Sequence, residues 1–243
     1  MKSLIERLNP KGRRGSKPRC HILTHGPQDR VANVLSALAS PFASVSVDDC
    51  WMPVGFDEVL EAELNKAPRL LSTEVRAQLG SWWLPADRQS ATTPNFDISS
   101  TCKVGGVPGL LLVEAKAHVQ ELTKEEAGRA LGTDAFVHRK ASHGTIGHAI
   151  AEAADGLALA MSARCRISRD AHYQMSNRFA WAWKLTQLDV PVVLVYLGFL
   201  GAEEMADISA PFAESSDWLQ RVKSHGAALF EMDPWERTWV CNG

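Results

Sequence analysis

The stretch NFDISSTCKVGGVPGLLLVEAKAH (95–118) decides how the chain is read. NFDISSTCKV (95–104) reads as extended, and VGGVP (104–108) supplies the Gly and Pro residues that a tight reversal needs. GLLLVEAKAH (109–118) follows as a strand. Its Leu110–Val113 run is apolar on both faces, as expected of a strand buried within a sheet. The expectation is an antiparallel hairpin that leads into a central strand, and that strand ends on charge.

Glu114 and Lys116 are two residues apart, so a strand turns both side chains to one face. Burying an unpaired charge is costly, so such a pair at the end of an apolar strand needs a reason to be there. Asp97 sits in the partner strand and can approach Glu114 on the shared face if the strands pair through the turn; the register stays open at this point. Two carboxylates and a backbone carbonyl make a hard-oxygen site for Mg²⁺. Lys116 beside them can stabilise developing negative charge and orient or deprotonate an attacking water. That equipment suits phosphodiester hydrolysis without a Ser, Cys or His nucleophile. The competing structural account is an ion pair between Lys116 and a carboxylate at the sheet edge.

The run P-N-F-D-I, followed seventeen residues after Asp97 by E-A-K, resembles the PD-(D/E)XK nuclease superfamily. Pro94 is separated from Asp97 by Asn95 and Phe96, so the literal P-D dipeptide is absent. The resemblance implies a restriction-endonuclease-like α/β core over about 95–200. It also implies Mg²⁺ or Mn²⁺ held by Asp97, Glu114 and the Ala115 carbonyl, with Lys116 as the catalytic lysine. A polar residue from a following helix often turns toward such a site. Gln174, Arg178, Trp181 and Leu185 share one face of a helix over 169–188, with Asn177 beside them, which makes Gln174 or Arg178 the candidate. An early acidic residue often completes the metal site; among Glu58, Glu61, Glu63 and Glu74, Glu74 is preferred.

Working outward, CHILTH (20–25) reads as a short strand and 29–42 as a helix stopping near Pro41. Residues 43–51 alternate like an extended segment. Apolar residues recur at helical spacing over 56–64 and again over 72–83, where Ser72 looks like an N-cap. TKEEAGRALG (123–132) fits a helix capped by Thr123, with Glu126 completing a capping box. Helices are expected over 143–163, 169–188 and 215–226. VPVVLVYLGFL (190–200) is a strong buried strand with Pro at its start. Hairpin, helices, then strand suits an α/β fold with a central mixed sheet flanked by helices.

Composition narrows the classes. The 243 residues, 45% hydrophobic and 22% charged, suit one sizeable domain. No apolar run is long enough to span a membrane. The basic N-terminus lacks the apolar h-region of a secretory signal, so a cytoplasmic setting is expected. Cys20, Cys50, Cys102, Cys165 and Cys241 form no C-x-x-C pair and read as reduced thiols. Net charge is −2, but Lys2, Arg7, Lys11, Arg13, Arg14, Lys17 and Arg19 face only Glu6 in the first 19 residues. Residues 1–18 therefore read as a basic, flexible arm able to touch phosphates, and 19–243 as a single nuclease-like domain.

Other candidates carry less. His118 falls on the face of Lys116 and could assist proton transfer, or simply end the strand. His143 and His148, five apart, are a poor zinc pair. Trp181 and Trp183 read as core, while Trp82 and Trp83 are the better base-stacking candidates. Nothing like G-x-G-x-x-G, G-x-x-x-x-G-K-[ST] or G-x-S-x-G occurs at a strand–helix junction, which disfavours an unrelated small-molecule enzyme. The sequence thus leads to a Mg²⁺- or Mn²⁺-dependent nuclease acting on nucleic acid, DNA first, with a homodimer or partner subunit as a source of specificity. The alternative is a catalytically weak nucleic-acid-binding or protein-interaction module on the same fold.

Overall fold

In the computed structural model, which describes residues 4–129, 131 and 137–235 (137–139 as backbone only), the hairpin closes on Gly105 and Gly106. Their φ angles of 57° and 86° are both left-handed. A two-residue hairpin loop of this twist demands that at both central positions, which glycine adopts without steric cost. The reversal joins β5 (Ile98–Val104) to β6 (Val107–Lys116) in antiparallel register, from Val104↔Val107 to Ile98↔Val113.

The main sheet runs β1 (Ala43–Ser44), β5, β6, β7 (Val192–Gly198), with β2 (Trp51–Met52) also pairing to β5. β6 and β7 are parallel, so the sheet is mixed. The chain between them crosses over through α4 (Val119–Glu125), α5 (Val137–Met161) and α6 (Tyr173–Thr186). A parallel neighbour requires such a long connection. β3 (Ala62–Glu63) and β4 (Asn95–Phe96) form a separate two-stranded ribbon. The fold is therefore α/β, a mixed sheet flanked by helices.

Both faces of β6 are covered, which explains its unbroken apolar run. Leu110 and Leu112 pack with Ile146 and Ile150 of α5, Met175 and Trp181 of α6, and Leu79 and Trp83 of α3 (Thr73–Trp83). Leu111, Val113 and Ala115 pack on the other side with Cys20 of α1 (Ser16–Leu23) and Val31 and Leu35 of α2 (Gln28–Ala39). Ser72 caps α3, its hydroxyl accepting from the Val75 amide at 3.3 Å. α7 (Ser215–Ala227) lies close to its expected span.

Three local expectations are corrected. CHILTH is not a strand: it lies at the end of α1 and beyond it, with Cys20, His21 and Thr24 buried at helical spacing and Ile22 exposed. Residues 56–64 are not a helix; the segment is held extended at its end, where β3 pairs with β4. The helix placed at 123–132 begins earlier, at Val119, and Thr123 lies inside it with its hydroxyl returning to the Val119 carbonyl. Positions 130 and 132–136, which include the end of that expected helix, and Cys241 fall outside the described residues.

The described part of the stretch read as a basic arm over 1–18, together with the adjoining Arg19, is tied to the rest of the chain. Arg7 pairs with Asp57 at 2.9 Å and Lys17 with Glu61 at 2.5 Å, while Arg14 pairs with Asp207 and Arg19 with Glu204. These cations are already neutralised by acids, so this stretch differs from a free phosphate-binding tail. Among the described residues no helix is long and apolar enough to cross a membrane.

Candidate active site

One register step beyond Ile98↔Val113 brings Asp97 opposite Glu114. Residues directly opposite on antiparallel strands share a face, and Asp97 uses the proximity. Its Oδ2 accepts the Ala115 amide at 2.7 Å, fixing the carboxyl between Glu114 and Lys116. The hairpin thus joins the three residues that its sequence singled out.

Glu114 and Lys116 are only 2% and 4% exposed; Glu114 meets α6, and Lys116 reaches Glu125 of α4. Lys116 Nζ donates to Glu114 Oε1, and Gln174 Nε2 donates to the same oxygen. Arg178 Nε donates to Glu114 Oε2 at 2.5 Å, and its Nη1 donates to Asn177 Oδ1 at 2.6 Å. The guanidinium also lies over the Phe96 ring, 4.8 Å from its centre. Gln174 and Arg178 meet one carboxylate because they are four apart on one helical face.

No family model, curated protein or solved structure matches the chain.

The electrostatics of the site follow from burial and charge parity. Burial opposes the charge of Glu114, but Arg178 and Lys116 outweigh it and hold the carboxyl below its ordinary value. Burial likewise opposes the Lys116 ammonium, yet Glu114, Glu125 and Asp97 hold it above its ordinary range. Lys116 Nζ lies 2.7 Å from Glu125 Oε1, so it answers two carboxylates. Two cations, Lys116 and Arg178, balance two anions, Glu114 and Glu125. Asp97 is the carboxyl left over. Burial, then the charge of Glu114, pushes it up to about 8, against the pull of Lys116 and the Ala115 amide. At neutral pH it therefore keeps its proton until more positive charge arrives.

That imbalance leaves the site short of positive charge whenever Asp97 ionises. Among the described residues no three His, Cys, Asp or Glu side chains are grouped so as to hold a metal. The donors here are two carboxylates, Asp97 and Glu114, together with the Ala115 carbonyl. A hard cation between them would supply the charge that an ionised Asp97 wants, and oxygen donors of this kind are those Mg²⁺ or Mn²⁺ would take. Lys116, Gln174 and Arg178, however, already engage both Glu114 oxygens.

Glu74, the preferred third acid, stands apart from them. It is exposed in the first turn of α3, where bonds to its own backbone amide and to Ser72 lower its pKa. The early acid whose charge reaches Asp97 is Glu61, which receives Asn95 Nδ2 from β4 and Lys17 Nζ from α1. Glu58 pairs with Arg69 and Glu63 with Lys66. His118 is buried with Nε2 3.9 Å from Glu121, and His143 contacts the Arg129 carbonyl at 2.8 Å. His148 lines an open depression of about 320 Å³ away from the cluster. A second hollow, of about 220 Å³, lies beside His25, Asp49 and Trp51, also away from it. Neither depression is lined by a residue of the charged cluster.

Of the stacking candidates, Trp83 is sealed in the core against Trp181, ring centres 5.5 Å apart. Trp82 is half-buried, donates to Glu152 at 2.8 Å and lies under Lys184. The residue absent from the sequence reading is Glu125, 1% exposed and facing Lys116. Its position in the charged run TKEEAGR resembles a solvated helix face, so only a buried neighbour could have marked it.

Proposed function

We propose that this chain is a Mg²⁺- or Mn²⁺-dependent nuclease of the PD-(D/E)XK kind, hydrolysing DNA phosphodiester bonds on a restriction-endonuclease-like core. The observation that supports the reading is the convergence on one sheet face of Asp97, Glu114 and Lys116, tied by the 2.7 Å bond from the Ala115 amide to Asp97. Asp97, Glu114 and the Ala115 carbonyl would hold the ion. When bound, it would polarise a phosphate oxygen and lower the pKa of an attacking water.

The remaining work belongs to side chains. Arg178 and Gln174 fix the plane of the Glu114 carboxylate. Lys116 would hold an ammonium where negative charge develops on the phosphate, sharing it with Glu114 and Glu125. Asp97 is the half-buried member of the trio, and a phosphate would approach from its side.

A second reading, binding without cleavage, is favoured by one observation: both Glu114 oxygens are already taken by Lys116, Gln174 and Arg178. One experiment separates the two. The full chain is incubated with labelled single- and double-stranded DNA and RNA, with Mg²⁺, Mn²⁺ or EDTA. The nuclease reading expects metal-dependent cleavage that falls about 100-fold or more in Lys116→Ala and Asp97→Asn, both still folded by circular dichroism. Binding unchanged by Lys116→Ala, with no cleavage under either metal, would establish the binding module instead.

A further inference from the structure

Helix α7 lies outside the span from the hairpin to β7, yet one of its side chains reaches the cluster. His225 is buried, and its Nε2 lies 3.3 Å from Glu125 Oε2. The other Glu125 oxygen lies 2.7 Å from Lys116 Nζ. The three side chains form a continuous row from α7 through α4 to β6. His172 closes it from the start of α6, its ring edge-on to His225 at 4.7 Å.

Both contacts of Glu125 are close but badly angled, so neither of its oxygens, nor His225 Nε2, completes a hydrogen bond. An interior carboxylate without aligned donors is expensive, and replacing it by an apolar group would be cheaper unless it has a task. The task consistent with its neighbours is to share Lys116. The ammonium stands between Glu114 and Glu125 and can be held by the second when it lets go of the first.

We propose that Glu125 is the alternative anchor of Lys116 and that His225, its Nε2 3.3 Å from Glu125 Oε2, steadies Glu125 in that role by proximity; both are positioning residues. The effect on rate rests on the nuclease reading. The anchoring itself is a property of the protein without metal or substrate, so it is tested separately.

The direct measurement is hydrogen exchange of the Lys116 ammonium by ¹H–¹⁵N NMR, its signal assigned by loss in Lys116→Met. Glu125→Gln and His225→Phe are expected to exchange at least tenfold faster than wild type. His225→Gln, which keeps a polar group of similar reach, should stay within about threefold, and it guards against a Phe variant that simply misfolds. Wild-type exchange in Glu125→Gln, or His225→Gln as fast as His225→Phe, overturns the proposal. In cleavage assays Glu125→Gln should lower kcat tenfold or more with KM within twofold; an unchanged kcat also overturns it. A wild-type chain that cuts nothing with either metal ends the nuclease reading, while the exchange rates still decide the anchor.

Discussion

The Ala115 amide donates to Asp97 Oδ2 at 2.7 Å, so the backbone between Glu114 and Lys116 holds the carboxyl that the charge balance leaves over. This bond ties the start of one hairpin strand to the end of the other. It also places Asp97 where burial and Glu114 disfavour its ionisation.

The first prediction follows from that cost. Folded Asp97 titrates at about 8, whereas an unfolded aspartate titrates near about 3.9. Between these values the folded chain holds a proton that the unfolded chain has lost. Asp97 therefore makes the fold progressively less stable as pH rises through this window, with no further change above it. Asp97→Asn keeps the oxygen that accepts from Ala115 and removes the titration. Its gain in Tm over wild type should be small near pH 4.5, grow up to about pH 8 and then level off. A gain that is the same at every pH would show that Asp97 ionises normally.

Arg178 is the buried partner of Glu114 at Oε2. Arg178→Met leaves that carboxylate short of a cation in the interior, and losses of about 3–5 kcal/mol are usual in such cases. Denaturant unfolding should show this loss, and adding Glu114→Gln should recover much of it. A single-variant loss below about 1 kcal/mol would mean that the pair is screened.

Two glycines should respond in opposite ways. A Cβ on Gly109 would lie 2.4 Å from the Pro191 carbonyl oxygen, which accepts the Leu110 amide where β6 meets β7. Gly109→Ala should cost at least about 1–3 kcal/mol. Gly144 lies in α5 with nothing within 4 Å of its would-be Cβ. Gly144→Ala should be neutral or stabilise by up to about 1 kcal/mol. Urea midpoints of the two variants moving in the same direction would contradict this contrast.

Leu112 is fully buried between β6 and the helices α5 and α6. Leu112→Ala should cost about 2–5 kcal/mol, the spread depending on how far α6 can settle into the space. Equilibrium unfolding measures it, and a loss under about 1 kcal/mol would show that this face is loosely packed.

The parts legible in sequence were those with a local signature. Gly105 and Gly106 announced the reversal, Ser72 announced a helix start, and the strands β6 and β7 announced themselves by length and apolar content. Asp97, Glu114 and Lys116 stood out because charge interrupts an apolar pattern, and Gln174 and Arg178 because they share a helix face. CHILTH misled because a six-residue apolar–polar mixture fits either period, and the burial of Cys20, His21 and Thr24 is set by tertiary packing. Glu74 was preferred on helix position alone, whereas proximity to Asp97 falls to Glu61, delivered by the pairing of β3 with β4. Glu125 and His225 were invisible for a related reason. Each sits in a polar, helical stretch, and their meeting joins positions 100 residues apart.

The pairing of Arg7, Arg14, Lys17 and Arg19 with Asp57, Asp207, Glu61 and Glu204 makes the opening segment a counterweight. Shortening the chain past residue 19 would bare four carboxylates on the domain it leaves behind. One of them, Glu61, would then repel both an incoming polyanion and the ionised form of Asp97 without Lys17 to offset it.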